Sequence, residues 1–358
     1  MTNKHMAVIG TGSIGLMLGS FLARNGFDVT LVPQFRPEMA ELLNQKGIQV
    51  TFGDEQWTQP VRSVFWQDIV GDEQFDIVFI TGKSNDTEDA MEKMLPYLKP
   101  DGFVTSLQNG INDDVIARYA GADRVIPCIC FAGGQCPEPN HVMTHDGYFI
   151  IGEPDGSSTA RLKELEQILS CVKRVEVTDN IRAARWKKLA EVCLTVPVAT
   201  VSGYPQFSGF EDRLVQRVFG RLAGEVMTVE AACGVVPGPI MGLNQAEWSV
   251  LAHEEAPELS ARFLATMRMP APPQADGEAP QTDGDAKKAA MAPEDAYSKD
   301  IRRGRPLEVW YTNGYVGNKA KEFGVSAPVN DRLCEMIREI EAGTRKACRD
   351  NLSELAEM

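Results

Sequence analysis

The chain has 358 residues, of which 43% are hydrophobic, and a formal net charge of -14 at neutral pH. That length exceeds one ordinary domain and that apolar content can fill sizeable cores, so a globular protein of two domains is expected. The acidic balance opposes nucleic-acid partners and would oblige an anionic substrate to find a local basic pocket. No apolar run reaches the roughly 20 residues of a bilayer helix, and the start of the chain carries no signal-peptide pattern, so a cytoplasmic protein without membrane partners is expected.

The first predicted element is a strand, Met6 to Ile9, which runs into Gly10-Thr11-Gly12-Ser13-Ile14-Gly15 and then into helical spacing from Ile14 to Arg24. This strand-turn-helix frame is what a dinucleotide site needs. One glycine makes the tight turn, one lets the backbone approach a pyrophosphate and one lets helix and strand pack closely, while the helix N-terminus supplies donors. Gly10, Gly12, Ser13, Ile14 and Gly15 are therefore the expected pyrophosphate cradle. A second strand follows at Val29–Val32. At its end an acid would accept from a ribose 2'-hydroxyl, but the chain has Pro33-Gln34-Phe35-Arg36 instead. Gln34 and Arg36 offer an amide and a guanidinium where a 2'-phosphate would sit, which favours NADP(H) over NAD(H). The competing reading makes Arg36 a solvated first-turn residue.

Helical spacing resumes over Pro37–Gln45, Asp86–Leu98 and Asp113–Tyr119, and major strands are predicted at Ile77–Ile80, Phe103–Ser106 and Val125–Ile129. Further short strands are predicted at Ile48–Thr51, Val61–Trp66, Tyr148–Ile151 and Val175–Val177. Alternating strands and helices predict a parallel sheet with crossover helices. From about Asn180 the pattern becomes helical, over Arg182–Val196, Glu211–Cys233 and Ala327–Ala342, with Pro197 expected to end or kink the first of these. The fold class expected is α/β, with an N-terminal Rossmann-type doubly wound sheet over residues 1–180 and a mainly α-helical domain over 181–358. Residues 269–295, rich in Pro, Ala, Gly and Asp, read as a mobile insertion in the helical domain. The eight cysteines lie scattered in mostly apolar segments, so no disulfide and no metal site are expected.

Two short motifs follow strands in the first half: Thr81-Gly82-Lys83-Ser84-Asn85-Asp86 and Ser106-Leu107-Gln108-Asn109-Gly110. Strand C-terminal ends are where a doubly wound sheet gathers its ligand groups. Lys83 reads as a phosphate or nicotinamide contact, against a plain strand-end charge, and Asn109 as a hydrogen-bonder, against a turn former. With Arg185-Trp186-Lys187-Lys188-Leu189-Ala190 and Gly304-Arg305-Pro306-Leu307-Glu308-Val309, these motifs make nearly the whole chain resemble the ketopantoate reductase family.

The resemblance implies NADPH-dependent reduction of 2-dehydropantoate, a 2-oxo acid, to pantoate for pantothenate synthesis. It puts Lys83 and Asn109 on the nicotinamide side, makes Lys188 the general acid and Glu308 the substrate-side carboxylate, and allows a homodimer. Elementary chemistry agrees about the lysine, because ketone reduction develops negative charge on oxygen that must be stabilised and protonated. In the helix from Arg182, Trp186, Leu189, Ala190 and Cys193 share a face, and Lys187 and Glu191 form an expected solvated pair, which leaves Lys188 on its own flank. By residues alone Lys188 also reads as a surface lysine beside its twin, and Glu308 as a helix-face charge.

The chain departs from the family on the substrate side. Val192 stands where the family has asparagine one turn after its lysine, and Ala296 where many members have serine, with Ser298 or Lys299 as substitutes. Losing one buried polar partner costs about 1–3 kcal/mol of recognition. Three functions follow: ketopantoate reductase, a related reductase of a less polar 2-oxo acid, and a catalytically silent NADP(H)-binding sensor.

Overall fold

The computed structural model describes residues 4–267 and 296–358, so the expected insertion at 269–295 lies outside the described residues. Two compact units divide the chain, one ending at Arg185 and the other running from Trp186 to Met358.

In the first unit β1 (His5–Ile9) pairs in parallel with β2 (Asp28–Val32) on one side and with β6 (Phe75–Ile80) on the other. With β5 (Arg62–Ser63) beyond β2 and β7 (Leu98–Ser106) beyond β6, the order is β5-β2-β1-β6-β7, all parallel. This is the α/β doubly wound sheet with crossover helices on both faces. The chain first adds strands on one side of β1 and then on the other, so the crevice for a ligand opens beyond the ends of β1 and β6. Period-two alternation divides the strands between two cores. Met6 and Val8 face one with Leu16, Leu18 and Leu22, while Ala7 and Ile9 face the other with Ala90, Met91 and Ile116. Burial on both faces explains why these strands read as unbroken apolar runs.

The helices of this unit used below are α1 (Ser13–Arg24), α2 (Pro37–Lys46), α3 (Thr87–Met94) and α4 (Asp113–Ala120). Two smaller sheets join it. One has the order β4-β3-β10-β9, with β3 (Ile48–Phe52), β4 (Glu55–Gln59), β9 (Gly134–Gln135) and β10 (His141–Thr144). The other is β12-β11-β8, with β8 (Cys128–Cys130), β11 (Tyr148–Ile151) and β12 (Arg174–Val177), and α5 (Ala160–Ser170) links its last two strands.

Three prolines and one short strand revise the sequence reading. The helix expected over Asp86–Leu98 ends at Met94 and tightens into a 3-10 turn at Leu95–Tyr97, where Pro96 has no amide to give. The strand expected over Val125–Ile129 is split around Pro127 into a single parallel bridge, Val104 to Val125, and β8. The one expected over Val61–Trp66 keeps only Arg62–Ser63, and a 3-10 turn begins at Trp66. Pro197 does not end its helix: α6 is continuous from Ile181 to Ser202 with the proline inside it.

The second unit is helical, as expected of the C-terminal half. Besides α6 it contains α7 (Arg213–Ala232), α8 (Gln245–His253) and α9 (Pro257–Met267). The helices Ala296–Arg302, Asn313–Phe323, Pro328–Glu341 and Asn351–Glu357 complete it. An aromatic cluster of Phe210, Phe219, Trp248 and Phe263, with ring centroids 5.4 to 6.1 Å apart, ties α7, α8 and α9 together. The N-terminus of helix Pro328–Glu341 is capped from α7: the Glu225 carboxylate accepts from the amides of Val329 and Asn330, both at 2.9 Å. Among the described residues no helix is long and apolar enough to cross a membrane.

Glu230, in the last turn of α7, is 2% exposed, and burial pushes its carboxyl from 4.5 up to about 7. Below pH 4.5 both folded and unfolded chains hold that proton. As pH rises to about 7 the unfolded chain ionises while the folded one does not, so stability falls through this interval and the loss is constant above it. Glu230→Gln is therefore expected to stabilise the protein at pH 8 by up to about 3 kcal/mol. The gain should shrink toward zero near pH 4.5, as thermal unfolding of both proteins across this range would read.

Candidate active site

The turn after β1 is built for an anion. Gly10 sits at φ +102, and a Cβ there would lie 2.8 Å from the amide nitrogen of Gly82. Gly15 lies against the turn, since an added Cβ would come within 2.0 Å of the Gly10 carbonyl oxygen and 2.7 Å of Thr81 Oγ1. Gly12 differs, because a Cβ built on it meets nothing within 4 Å. The first helical bond of α1 runs from the Leu16 amide to the Gly12 carbonyl at 2.9 Å. The amides of Ser13, Ile14 and Gly15 precede that bond, and no acidic side chain stands in the first turn. Unspent donors, an open approach at Gly12 and the positive end of the helix dipole fit a dinucleotide pyrophosphate.

The loops after β6 and β7 are fastened to each other. Thr81 holds the β1 end through its hydroxyl, which donates to the Ile9 carbonyl at 2.8 Å. Gln108 is 6% exposed; its amide donates to the carbonyls of Gly82 at 3.2 Å and Lys83 at 2.9 Å. Its Oε1 accepts from Ser106 at 2.9 Å and from Thr87 at 3.1 Å. The Asn109 carbonyl accepts from Ser84 Oγ and from Asn112 Nδ2, both at 2.9 Å. These bonds leave Lys83 half-buried at the strand end and the Asn109 side chain exposed. Thr81, Ser84, Thr87 and Gln108, which fasten these loops, are not among the ligand contacts expected from the sequence. Their signal was the clustering of small polar residues at both strand ends.

At the end of β2 the expected pair separates. Gln34 is 7% exposed and its amide donates to the Asp86 carbonyl and to Asp89 Oδ2, both at 2.8 Å. The amide nitrogen expected to meet a 2'-phosphate is thus directed at the start of α3, because burial obliges it to find partners inside the protein. Arg36 is exposed in the first residue before α2, next to Phe35, which is 57% exposed, and among the described residues no carboxylate pairs with Arg36.

Arg185 closes this unit. It is 5% exposed and grips Asp113 at the start of α4 with two bonds, Nε to Oδ2 at 2.8 Å and Nη2 to Oδ1 at 2.7 Å. Such a bidentate pair fixes orientation as well as distance, so the last residue of this unit is fastened to the helix that follows the Gln108–Gly110 loop.

Beyond Arg185, Trp186, Leu189, Ala190, Val192 and Cys193 are all buried, while Lys187 is exposed and Lys188 half-buried. The expected solvated pair of Lys187 with Glu191 is revised. Glu191 is itself half-buried, burial raises its carboxyl, and Lys188 is the stronger of the two cations that oppose that rise. Three residues apart, Lys188 and Glu191 face each other across one helical turn. Glu308 opens a 3-10 turn, Glu308–Tyr311, and is 7% exposed, so it is a buried carboxyl and not a plain helix-face charge. Ala296 begins the helix Ala296–Arg302, in which Ser298 is half-buried.

Comparison with known proteins is consistent over both halves. The family model described as ketopantoate reductase PanE/ApbA matches residues 6–156, and the one for the ketopantoate reductase PanE/ApbA C terminal matches residues 180–341. The 2-dehydropantoate 2-reductase of Archaeoglobus fulgidus is 25% identical over 348 residues, covering 96% of this chain and 100% of that one. Among solved structures, a PanE/ApbA family ketopantoate reductase from Ralstonia eutropha superposes with a TM-score of 0.72 at 22% identity, covering 95% and 99% of the two chains. D-mandelate dehydrogenase, in a ternary structure with NADH and anilino(oxo)acetate, superposes with a TM-score of 0.76 at 20% identity, covering 95% and 98%. At these identities the structural likeness speaks for the fold.

Proposed function

The chain belongs to the ketopantoate reductase family of oxidoreductases, and from that premise we propose that it reduces the ketone of 2-dehydropantoate to pantoate with NADPH. The observation that carries the reading is the state of two side chains within the matched segments: Lys188 half-buried on α6 one turn from Glu191, and Glu308 buried at the head of its turn. A lysine at this position carries both the charge that stabilises a developing alkoxide and a proton to give it.

NADPH, when bound, supplies the hydride that adds to C2. The remaining work falls to this chain. The amides of Ser13, Ile14 and Gly15 receive the pyrophosphate, and Gly12 lets it approach. Lys83 and Asn109 contact the nicotinamide side. Lys188 Nζ donates its proton to the ketone oxygen as that oxygen gains charge, leaving a neutral amine that solvent reprotonates. Glu308 accepts from the substrate hydroxyl and orients it.

Arg36 supports NADPH over NADH, since among the described residues it has no carboxylate partner and it can pair with a 2'-phosphate. Gln34 no longer contributes its amide nitrogen to that argument. The nicotinamide cofactor as a class fits the family, and the D-mandelate dehydrogenase neighbour was solved with NADH.

A second reading is favoured by Val192, buried at 7% exposure where the family has asparagine. It takes as substrate a 2-oxo acid with a less polar side chain, and the neighbour solved with anilino(oxo)acetate supports it. Oxidation of NADPH with 2-dehydropantoate and a panel of aliphatic and aromatic 2-oxo acids separates the two. The first reading expects the highest kcat/KM with 2-dehydropantoate, and the second with a bulkier acid. Tight NADPH binding with no turnover on any of them would refute both and leave a sensor. In the same assay Arg36→Ala should raise KM for NADPH about tenfold and leave KM for NADH unchanged; equal affinity of the parent protein for both would refute the argument from Arg36.

A further inference from the structure

Pro197 lies within α6 and has no N–H, so the carbonyl of Cys193, four residues earlier, has no helical donor. That carbonyl is not left unsatisfied. Asn313 Nδ2 donates to it at 3.2 Å, from 120 residues further along the chain. Asn313 is 0% exposed, and its second amide hydrogen goes to Asn330 Oδ1 at 2.9 Å. Asn330 Nδ2 in turn donates to Glu225 Oε2 at 2.7 Å. On its other side, Asn313 Oδ1 accepts from Thr312 Oγ1 at 3.3 Å, and Thr312 Oγ1 also meets the Tyr297 hydroxyl at 3.2 Å.

The amide of Asn313 therefore stands between two pieces of the proposed chemistry. One turn and a half before Cys193 on α6 is Lys188, and immediately before Thr312 is the turn Glu308–Tyr311. Tyr297, 3% exposed in the helix that Ala296 opens, joins the same chain of bonds. A proline inside a helix normally destabilises it, in part for the lost bond, and here the vacancy has become the point of attachment for a distant element.

We propose that Asn313 is a positioning residue for the reduction: by taking the carbonyl that Pro197 leaves over, it locks the Lys188 helix to the Glu308 turn. This inference rests on the roles proposed for Lys188 and Glu308. It assigns Asn313 no contact with substrate or cofactor.

The test is a double-mutant cycle of Asn313→Ala, Pro197→Ala and both together, in the full chain. Asn313→Ala should lower kcat at least tenfold, while the Kd for NADPH, read by fluorescence, stays within twofold and the protein remains folded at the assay temperature. Pro197→Ala gives the Cys193 carbonyl a helical donor without replacing the link to the Glu308 turn, so it should change kcat little alone and recover less than threefold in the double variant. A kcat for Asn313→Ala within twofold of the parent, or a double variant that recovers threefold or more over Asn313→Ala, overturns the proposal, since in the latter case the loss came from the unsatisfied carbonyl and not from the missing link. If Asn313→Ala fails to fold, Asn313→Ser, which keeps one donor, is read by the same criteria. If the parent protein turns over no 2-oxo acid, the functional reading fails by itself, and hydrogen exchange still judges the lock. Loss of protection in residues 194–202 and 308–312 together upholds it, and loss in only one of them overturns it.

Discussion

Lys188→Ala should cut kcat by about 10²- to 10⁴-fold, the range usual for removal of a positioned general acid, and should leave the Kd for NADPH within a few-fold of the parent. The reasoning starts from charge. Hydride addition turns a neutral ketone into an incipient alkoxide, and in the proposed mechanism the lysine first stabilises that charge and then cancels it by proton transfer. Lys188→Arg separates the two duties. Arginine keeps the positive charge but holds its proton too firmly to donate at neutral pH, so a variant that recovers little of kcat assigns the loss to the proton. Retention of most of kcat in Lys188→Ala would remove the residue from the mechanism. Glu191, half-buried one turn away, leaves the Lys188 flank more acidic than the sequence suggested.

Gly15→Ala is expected to weaken dinucleotide binding by roughly 10- to 100-fold and to lower Tm as well. An added methyl would stand 2.0 Å from the Gly10 oxygen, so α1 must withdraw from the sheet and take its N-terminal amides with it. Overpacking of this kind costs about 1–3 kcal/mol. Gly12→Ala supplies the contrast. Its methyl enters open space, so the folded protein should keep its Tm and lose affinity only because the methyl occupies the ligand's approach. Differential scanning fluorimetry with and without NADPH reads both quantities. Equal Tm losses in the two variants would sink the distinction drawn between the glycines.

The parts of this molecule that were legible in the sequence are those written in local spacing. Alternation in Met6–Ile9 and Ile77–Ile80, the glycine turn and the helical period after Asn180 each lie within a few residues of one another, and the parallel sheet followed from them. What was not legible is carried by side chains that meet across long stretches of chain. Gln34 reads as a solvent-facing ligand group until Asp86 and Asp89, more than 50 residues on, are seen to take its amide. Nothing beside Glu225 in the sequence signals that it caps a helix about a hundred residues later. Pro197 was read by the local rule, which counts the bond lost and cannot see a replacement that comes from Asn313. Candidate residues such as Lys83, Lys188 and Glu308 were found through motif order, and their burial came only with the fold.

The Gln108 amide group, bound to both neighbouring loops, has a thermodynamic consequence for ligand capture. The loops after β6 and β7 are already ordered by folding, so little configurational entropy remains to be lost there when a dinucleotide arrives. Recognition at this edge of the sheet is then close to lock-and-key, with the cost of ordering met once, at synthesis, and not again at every turnover.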